Sequence, residues 1–452
     1  MHKLRRISDF QHTFSFSSQT EQFDIFYDRF LRSDLGKIYR AVPWDDLVGS
    51  FGLKESKKGP SCIFSPKGKL ALMFLKHYSG DSDRTLMEHL NGNLEWQFFC
   101  GIYLGEDRLT NFKAISEIRC ELARKLDMDR VQQAFYDHWS PNMADKHSLV
   151  MDATCYESYL RYPTNVKLLW EAVDWLHNLM GHLCKQVRVP VPRSKYLKWQ
   201  KRYVSYSKMG RKTKKKQRAP ARSLLRLLNK FGDELDRLEA QYGIVMAKDQ
   251  YRRRATAKKI YGQQHAYFYR GIKPKARIVS LDKDYIRPIV RGKETKAVEF
   301  GTKVNKFQID GIGFIEHLSF EAFHEGNRFQ DTVFRAQRLT KVKTRLAGAD
   351  AIYATNKNRT FAARYNIHTD FKRKGRAGKH EKQRSQLANA ITKERAGRLE
   401  GSFGKEKEHY HLKKIKARTK ATETLWIFFG IHTANALEIG RRMAREALQK
   451  VA

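Results

Sequence analysis

Two stretches of the chain carry apolar residues at alternating steps of three and four. One runs Val166, Leu169, Val173, Leu176, Met180, Leu183, Val187; the other runs Leu224, Leu228, Phe231, Leu235, Leu238, Tyr242. Such seams predict helices that pack along one face. Between them the segment VPVPRSKYLKWQKRYVSYSKMGRKTKKKQRAPAR is polar and basic, with prolines towards both ends that predict a break in each helix. The pattern predicts an antiparallel helical hairpin with a basic tip over residues 161–270.

Elsewhere the pattern changes twice. Residues 1–145 read as mostly helical: Ser65 before Pro66 is a helix start, KLALMFLKHYSG closes at Gly80, and another helix begins at Ser82. Short helices joined by tight turns form helix-turn-helix readers as well as ordinary bundles, which makes this region a candidate for binding DNA ends. At Ser148 the run SLVMDAT predicts a buried strand with Asp152 at its C-terminal end. From Ala276 to Leu318, the runs ARIVSLD, AVEFGTKVNKFQID and GIGFIEHLSF predict strands punctuated by Gly. A helix over 330–346 follows, and AGADAIYATNKN puts Asp350 near a strand end. Residues 371–384 form a charged loop. The remainder reads as two helices, one bearing Glu400 and one over 423–448 with the apolar run LWIFFGI. The expected organisation is a helical domain at 1–145, a mixed α+β or α/β domain from 146–160 and 271–452, and the hairpin inserted between its parts.

Charge gives the first functional clue. The 452 residues include 88 Lys plus Arg against 48 Asp plus Glu, a formal net charge of +40. A charge of that size repels itself unless a polyanion compensates it, and nucleic acid gains most from doing so because each neutralised phosphate releases counterions. Lys212, Lys214, Lys215, Lys216 and Arg218 in the hairpin tip are candidate phosphate contacts, with Tyr196, Trp199, Tyr203 and Tyr206 upstream as rings for stacking on exposed bases. A solvated loop on a dimerising coiled coil would show the same charges. The five cysteines are scattered without a C-x-x-C pair, so a zinc ribbon is not indicated. MHKLRRISDFQHTF lacks the apolar segment of a secretory signal, and the run Leu425 to Ile431 is too short for a membrane span. These features predict a soluble cytoplasmic protein associated with the nucleoid, not a membrane protein.

Cutting and rejoining a phosphodiester requires deprotonating an oxygen nucleophile, neutralising the transferring phosphate and stabilising the leaving oxygen. Paired divalent ions held by carboxylates do all three. VMDAT at 150–154, ADAIY at 349–353 and RLEGSFGKEKEHYHL at 398–412 resemble the three acidic motifs of DDE transposases from bacterial insertion sequences. The order also matches: strand with Asp, further strands, strand end with Asp, helix with Glu. The resemblance implies a ribonuclease-H-like core, a mixed sheet flanked by helices. It further implies that Asp152, Asp350 and Glu400 are the catalytic acids and the ligands of two Mg²⁺ ions, with Mn²⁺ as a substitute. Lys407, seven residues after Glu400 and so on the same helical face, matches the family's DNA-contacting lysine. The implied partners are double-stranded DNA, namely the terminal inverted repeats of the protein's own element and its target DNA, and the implied assembly is a homodimer on DNA.

The chain departs from the family at three positions. The Tyr and Arg found upstream of the Glu are replaced by Lys393 and Ala396, with Arg395 and Arg398 flanking the gap and Arg398 a candidate DNA contact, and Ile352 stands where many relatives have Gly. Taken singly, Asp152 and Asp350 also suit strand ends or turns, and Glu400 a charged helix surface. Weaker candidates are His409 with His411 as metal ligands, Glu157 as a fourth acid, Asp282 with Asp284 as turn acids, and Gly311 with Gly313 as a phosphate loop. Two other functions stay open: a related metal-dependent nuclease without strand transfer, and a DNA-binding, non-catalytic descendant of a transposase.

Overall fold

The computed structural model describes residues 5–6, 18–55, 62–290 and 297–451; most of the basic stretch MHKLRRISDFQHTF lies outside these. The chain divides into two compact units, one formed by residues 159–301 with 320–322 and the other by the remainder.

The larger unit opens with a two-residue strand, β1 (Arg5–Arg6), and eight helices: α1 (Ser18–Arg32), α2 (Asp34–Ala41), α3 (Trp44–Ser50), α4 (Pro66–Ser79), α5 (Asp83–Gly92), α6 (Leu94–Cys100), α7 (Lys113–Lys125) and α8 (Met128–Trp139). Strand β2 (Ile102–Tyr103) pairs antiparallel with β1. The predicted punctuation is present: Ser65 accepts from Gly68 N with Pro66 at the first helical position, Gly80 closes α4 at φ 73°, and Ser82 accepts from Thr85 N. Helix α4 is buried from Leu70 through His77 and so forms part of the core.

The apolar run near the C-terminus explains how this bundle is held. Leu425, Ile427, Phe428, Phe429 and Ile431 are all at most 1% exposed within α17 (Lys420–Val451). A helix apolar all round must be surrounded, and α17 packs against α2, α4 and α7. Gly440 permits the closest approach, since a Cβ there would stand 2.4 Å from the carbonyl oxygen of Lys37 in α2.

The sheet of this unit is centred on β3 (Ser148–Ser158). Its other members here are β5 (Val298–Ile309), β6 (Ile312–Ser319), β7 (Leu346–Ala349), β8 (His368–Thr369) and β9 (Lys414–Ile415). Strand β5 neighbours β3 on one side and pairs antiparallel with β6; β7 runs parallel to β3 on the other side, and β8 parallel to β7. The β5–β6 turn places Asp310 at φ 48° and Gly311 at φ 79°, the two positive angles a tight hairpin turn needs, which accounts for the Asp-Gly pair. Helices α13 (Phe329–Thr340), α14 (Asn356–Arg364), α15 (Glu381–Glu394) and α16 (Gly401–His409) complete the unit, with a π-helical segment, Arg395–Glu400, joining the last two into one continuous run. The predicted strand SLVMDAT thus continues four residues further, and Asp152 lies mid-strand. The helix predicted over 330–346 ends at Thr340, where Lys341 takes φ 59°.

Among its described residues the smaller unit has four helices where the pattern predicted two: α9 (Asn165–Gln186), α10 (Tyr196–Lys208), α11 (Lys214–Tyr242) and α12 (Lys248–Arg270), with the short strand β4 (Pro288–Val290) pairing with the start of β5. The seam residues Val166 to Leu183 and Leu224 to Leu238 form its core. The basic tip differs from expectation. Residues 196–208 are helical, and Lys214, Lys215, Lys216 and Arg218 occupy the first turns of α11, leaving only Lys212 before it. Pro220 breaks nothing and sits inside α11. Its missing N–H and ring clash cost ~3 kcal/mol, which burial of Leu224, Leu228, Phe231 and Leu235 outweighs at ~1.5–3 kcal/mol each. ARIVSLD is not a strand: Ile278 and Leu281 join the helical core, and the Gln263 side chain bonds the backbone at Ala276 O and Ile278 N, taking the place of a strand partner.

Candidate active site

The alternation along β3 sends Asp152, Thr154 and Tyr156 to one face. The parallel register pairs Met151 with Ala349, so the next step brings Asp152 beside Asp350, the first residue past the end of β7. Neighbouring strands lie about 4.8 Å apart, and the carboxyl ends of parallel strands are where open sheets of this type bind ligands. Each acid accepts its following backbone N–H: Ala153 N to Asp152 Oδ1 at 2.8 Å, and Ala351 N to Asp350 Oδ1 at 2.6 Å.

Burial pushes the Asp152 carboxyl up to about 6, helped by the negative charges of Glu325 and Asp350 and opposed by the Ala153 N–H and the Arg395 guanidinium. Glu325 lies on the turn Glu325–Arg328 that follows β6 and pairs with Lys303 at 2.7 Å. That turn is pinned by buried Asn358, whose amide donates to Gly326 O and Tyr353 O at 2.7 and 2.8 Å. Asp370, just after β8, accepts from Ala349 N at 3.0 Å; burial raises its carboxyl too, against Arg395 at 3.8 Å. No local pattern marks Glu325 or Asp370, since each lies between regular elements and only the sheet's closure carries it to the site.

Glu400 arrives differently. Gly348 in β7 leaves room for Ile391 of α15, whose Cγ2 would stand 2.6 Å from an added Cβ. This close packing carries α15 along the sheet into the π segment, which ends at Glu400. The π turn spaces contacts by five residues, so Arg395, not position 396, faces Glu400, with Nη1 at 2.8 Å from Oε1. Arg395 thus joins Glu400, Asp370 and the field at Asp152, and it supplies an arginine at the gap left by Ala396. Among the described residues no three His, Cys, Asp or Glu side chains stand close enough to grip one metal ion; Asp152 and Asp350 are adjacent, while Glu400 pairs with Arg395, whose charge also acts on Asp152.

Lys407 reaches the same face of β3: its Nζ donates to Thr154 Oγ1 at 2.9 Å and lies 5.8 Å from the centre of the Tyr156 ring. The helix that bears it is anchored from below. Lys306 is fully buried and pairs with Glu406, which also accepts from Tyr156; Lys306 Nζ donates to Ser402 Oγ at 2.7 Å. Burial lowers the Lys306 ammonium, while Glu406 and Asp152 hold it up. The bulge at Asn305/Lys306 breaks the alternation of β5 and turns both residues inward.

The remaining candidates have other partners. Arg398 pairs with Asp310 and Glu394, both at 3.1 Å. Glu157 pairs with Lys414, and Asp282 and Asp284 with Arg253 and Arg252. His411 packs its ring on Gly80. In the smaller unit, Tyr196 and Tyr206 are 5% exposed and Tyr203 stacks on Trp170 at 4.8 Å, so these three rings belong to the helical core and not to a base-stacking surface.

Residues 26–121 match the family model of a transposase domain (DUF772). No curated protein and no solved structure matches the chain. The match supports a transposase family, and with it a transposition function, DNA binding and DNA cutting in general. It lies wholly within α1 to α7 and includes none of the acids.

Proposed function

We propose that this chain is a DDE-type transposase on a ribonuclease-H-like core, cutting DNA at the terminal inverted repeats of its own insertion sequence and joining the ends to target DNA, as a homodimer on paired ends. The observation that carries this reading is the parallel register of β3 and β7, which sets Asp152 beside Asp350 at the carboxyl end of β7. The order of strand, hairpin, strand end and helix bearing the acids supports it.

The donor chemistry fits a hard divalent cation. Asp152 and Asp350 offer carboxylate oxygens side by side, and burial, with smaller contributions from the charges of Glu325 and Asp350, raises the Asp152 carboxyl, so a cation there would favour its charged form. Asp152, Asp350 and Glu400 would hold Mg²⁺ (or Mn²⁺), which when bound supplies the nucleophile's activation and neutralises charge on the phosphate. Asp152 must be deprotonated for that role. Arg395, itself mostly buried, holds Glu400, whose carboxylate stays half exposed to an incoming ligand. Lys407 offers its ammonium to a DNA phosphate from the Thr154 side of the strand.

The test is cleavage of a labelled duplex bearing the element's end, with Mg²⁺. Asp152→Asn, Asp350→Asn and Glu400→Gln should each lose on the order of 10²–10³-fold or more in cutting rate while binding the duplex like the parent protein. A variant that cuts normally removes that residue from the catalytic set. The Arg395–Glu400 pair also favours a second reading, a DNA-binding protein that does not cut; binding without cleavage under Mg²⁺ and Mn²⁺ would establish it.

A further inference from the structure

In the smaller unit, a cavity of about 550 Å³ opens between α10, α11 and the segment preceding α10. Six cations line it: Arg193, Lys195, Lys198, Arg202, Arg226 and Lys230. No carboxylate does, and among the described residues none of the six forms an ion pair. The acids nearest in sequence are committed elsewhere: Asp233 accepts from Asn229 at 2.8 Å, and Glu234 pairs with Arg237 at 3.4 Å.

Two of the six side chains are held in place. Lys230 Nζ donates to Arg193 O at 2.6 Å, tying the preceding segment to α11. The half-buried indole of Trp199 packs on the helical core and carries the Arg202 guanidinium 5.0 Å from its ring centre. From the N-cap of α10 onward the cations follow the spacing 195, 198, 202, and on α11 the spacing 226, 230. Each set therefore forms a row along one helical face at steps of about one turn, ~5.4 Å.

A single small anion satisfies two or three such groups; two facing rows within one Debye length of each other call for a line of negative charges. We propose that this pocket is a phosphate-backbone site for duplex DNA, separate from the basic run Lys212–Arg218. The inference rests on the transposase reading and deepens it by assigning a DNA contact to residues outside the acidic motifs.

The test uses the full chain, a fluorescein-labelled duplex of arbitrary sequence, and anisotropy titrations over a range of salt. The triple variant Lys198→Gln/Arg202→Gln/Arg226→Gln should bind more weakly, and the slope of log Kobs against log[salt] should shrink by ~0.9 per lost contact, about 2.7 in all. Arg202→Lys/Arg226→Lys, which keeps the charges, should retain the slope. Should the triple variant lose its circular dichroism signal, Lys198→Gln and Arg226→Gln, both at exposed positions, are titrated singly. An unchanged slope in the variants, with the parent protein binding duplex, overturns this site and leaves the transposase reading intact. No salt-dependent duplex binding by the parent protein overturns both. A difference seen only with single-stranded DNA, or abolished by millimolar inorganic phosphate, overturns the duplex assignment in favour of a single-strand or small-anion site.

Discussion

At the residue scale, Asp152 concentrates the chemistry. Its folded carboxyl titrates near 6, above the ordinary aspartate value of about 3.9. A raised pKa means that the folded state binds the proton more tightly than the unfolded chain. The stabilisation this gives is complete below about pH 4 and is lost as pH rises through 6. Asp152→Asn removes that loss. The variant should gain at most about 3 kcal/mol over the parent protein at pH 7.5 and about 1 kcal/mol at pH 4.5, read from urea midpoints in the absence of divalent ions. An equal gain at both pH values would mean that side-chain packing, not titration, sets the difference. The motif containing Asp152 was legible in the sequence because short apolar runs announce strands. Glu325, Asp370 and the buried pair Lys306–Glu406 were not, because each depends on which strands become neighbours, and no local spacing encodes that.

At the element scale, the π segment Arg395–Glu400 decides which way Glu400 points. One residue of a regular helix turns the chain by ~100°, so deleting Gly397 should swing α16 and its acid relative to α15. Cleavage should vanish while helical content and duplex binding persist; a deletion variant that cuts normally would show that the segment's geometry is incidental. The sequence indicated the arginine gap at Ala396 but not its remedy, because a helical pattern assumes uniform pitch. The same assumption put Pro220 at a helix end, whereas burial of the α11 face carries the helix through it. Ser65, Pro66, Gly80 and Ser82 were read correctly because capping is local chemistry. The run ARIVSLD was misread as a strand because β-branched residues suit any half-buried extended segment, and here the Gln263 side chain serves as the partner.

At the scale of the molecule, a net charge of +40 is the dominant fact. Duplex DNA should raise the melting temperature, by linkage worth about 2.7 kcal/mol at a hundredfold excess over Kd. The shift should disappear near 1 M salt, where the screening length falls to ~3 Å; persistence at that salt would argue for contacts other than phosphate. Composition alone predicted the polyanion, and heptad seams predicted the core of the smaller unit, but four helices there instead of two, and the basic residues drawn into them, required the packing itself. The central strand has one more consequence, for synthesis on the ribosome. Strand β3 finds its neighbours β5, β7 and β9 only in chain that follows it. At ~5–20 residues per second, roughly 190 residues and 10–40 s separate the end of β3 from the end of β7. Throughout that interval the strand bearing Asp152 has at least one open edge, so messages truncated before β7 should yield aggregating chains, and no chain can assemble its three acids until Glu400 has been translated.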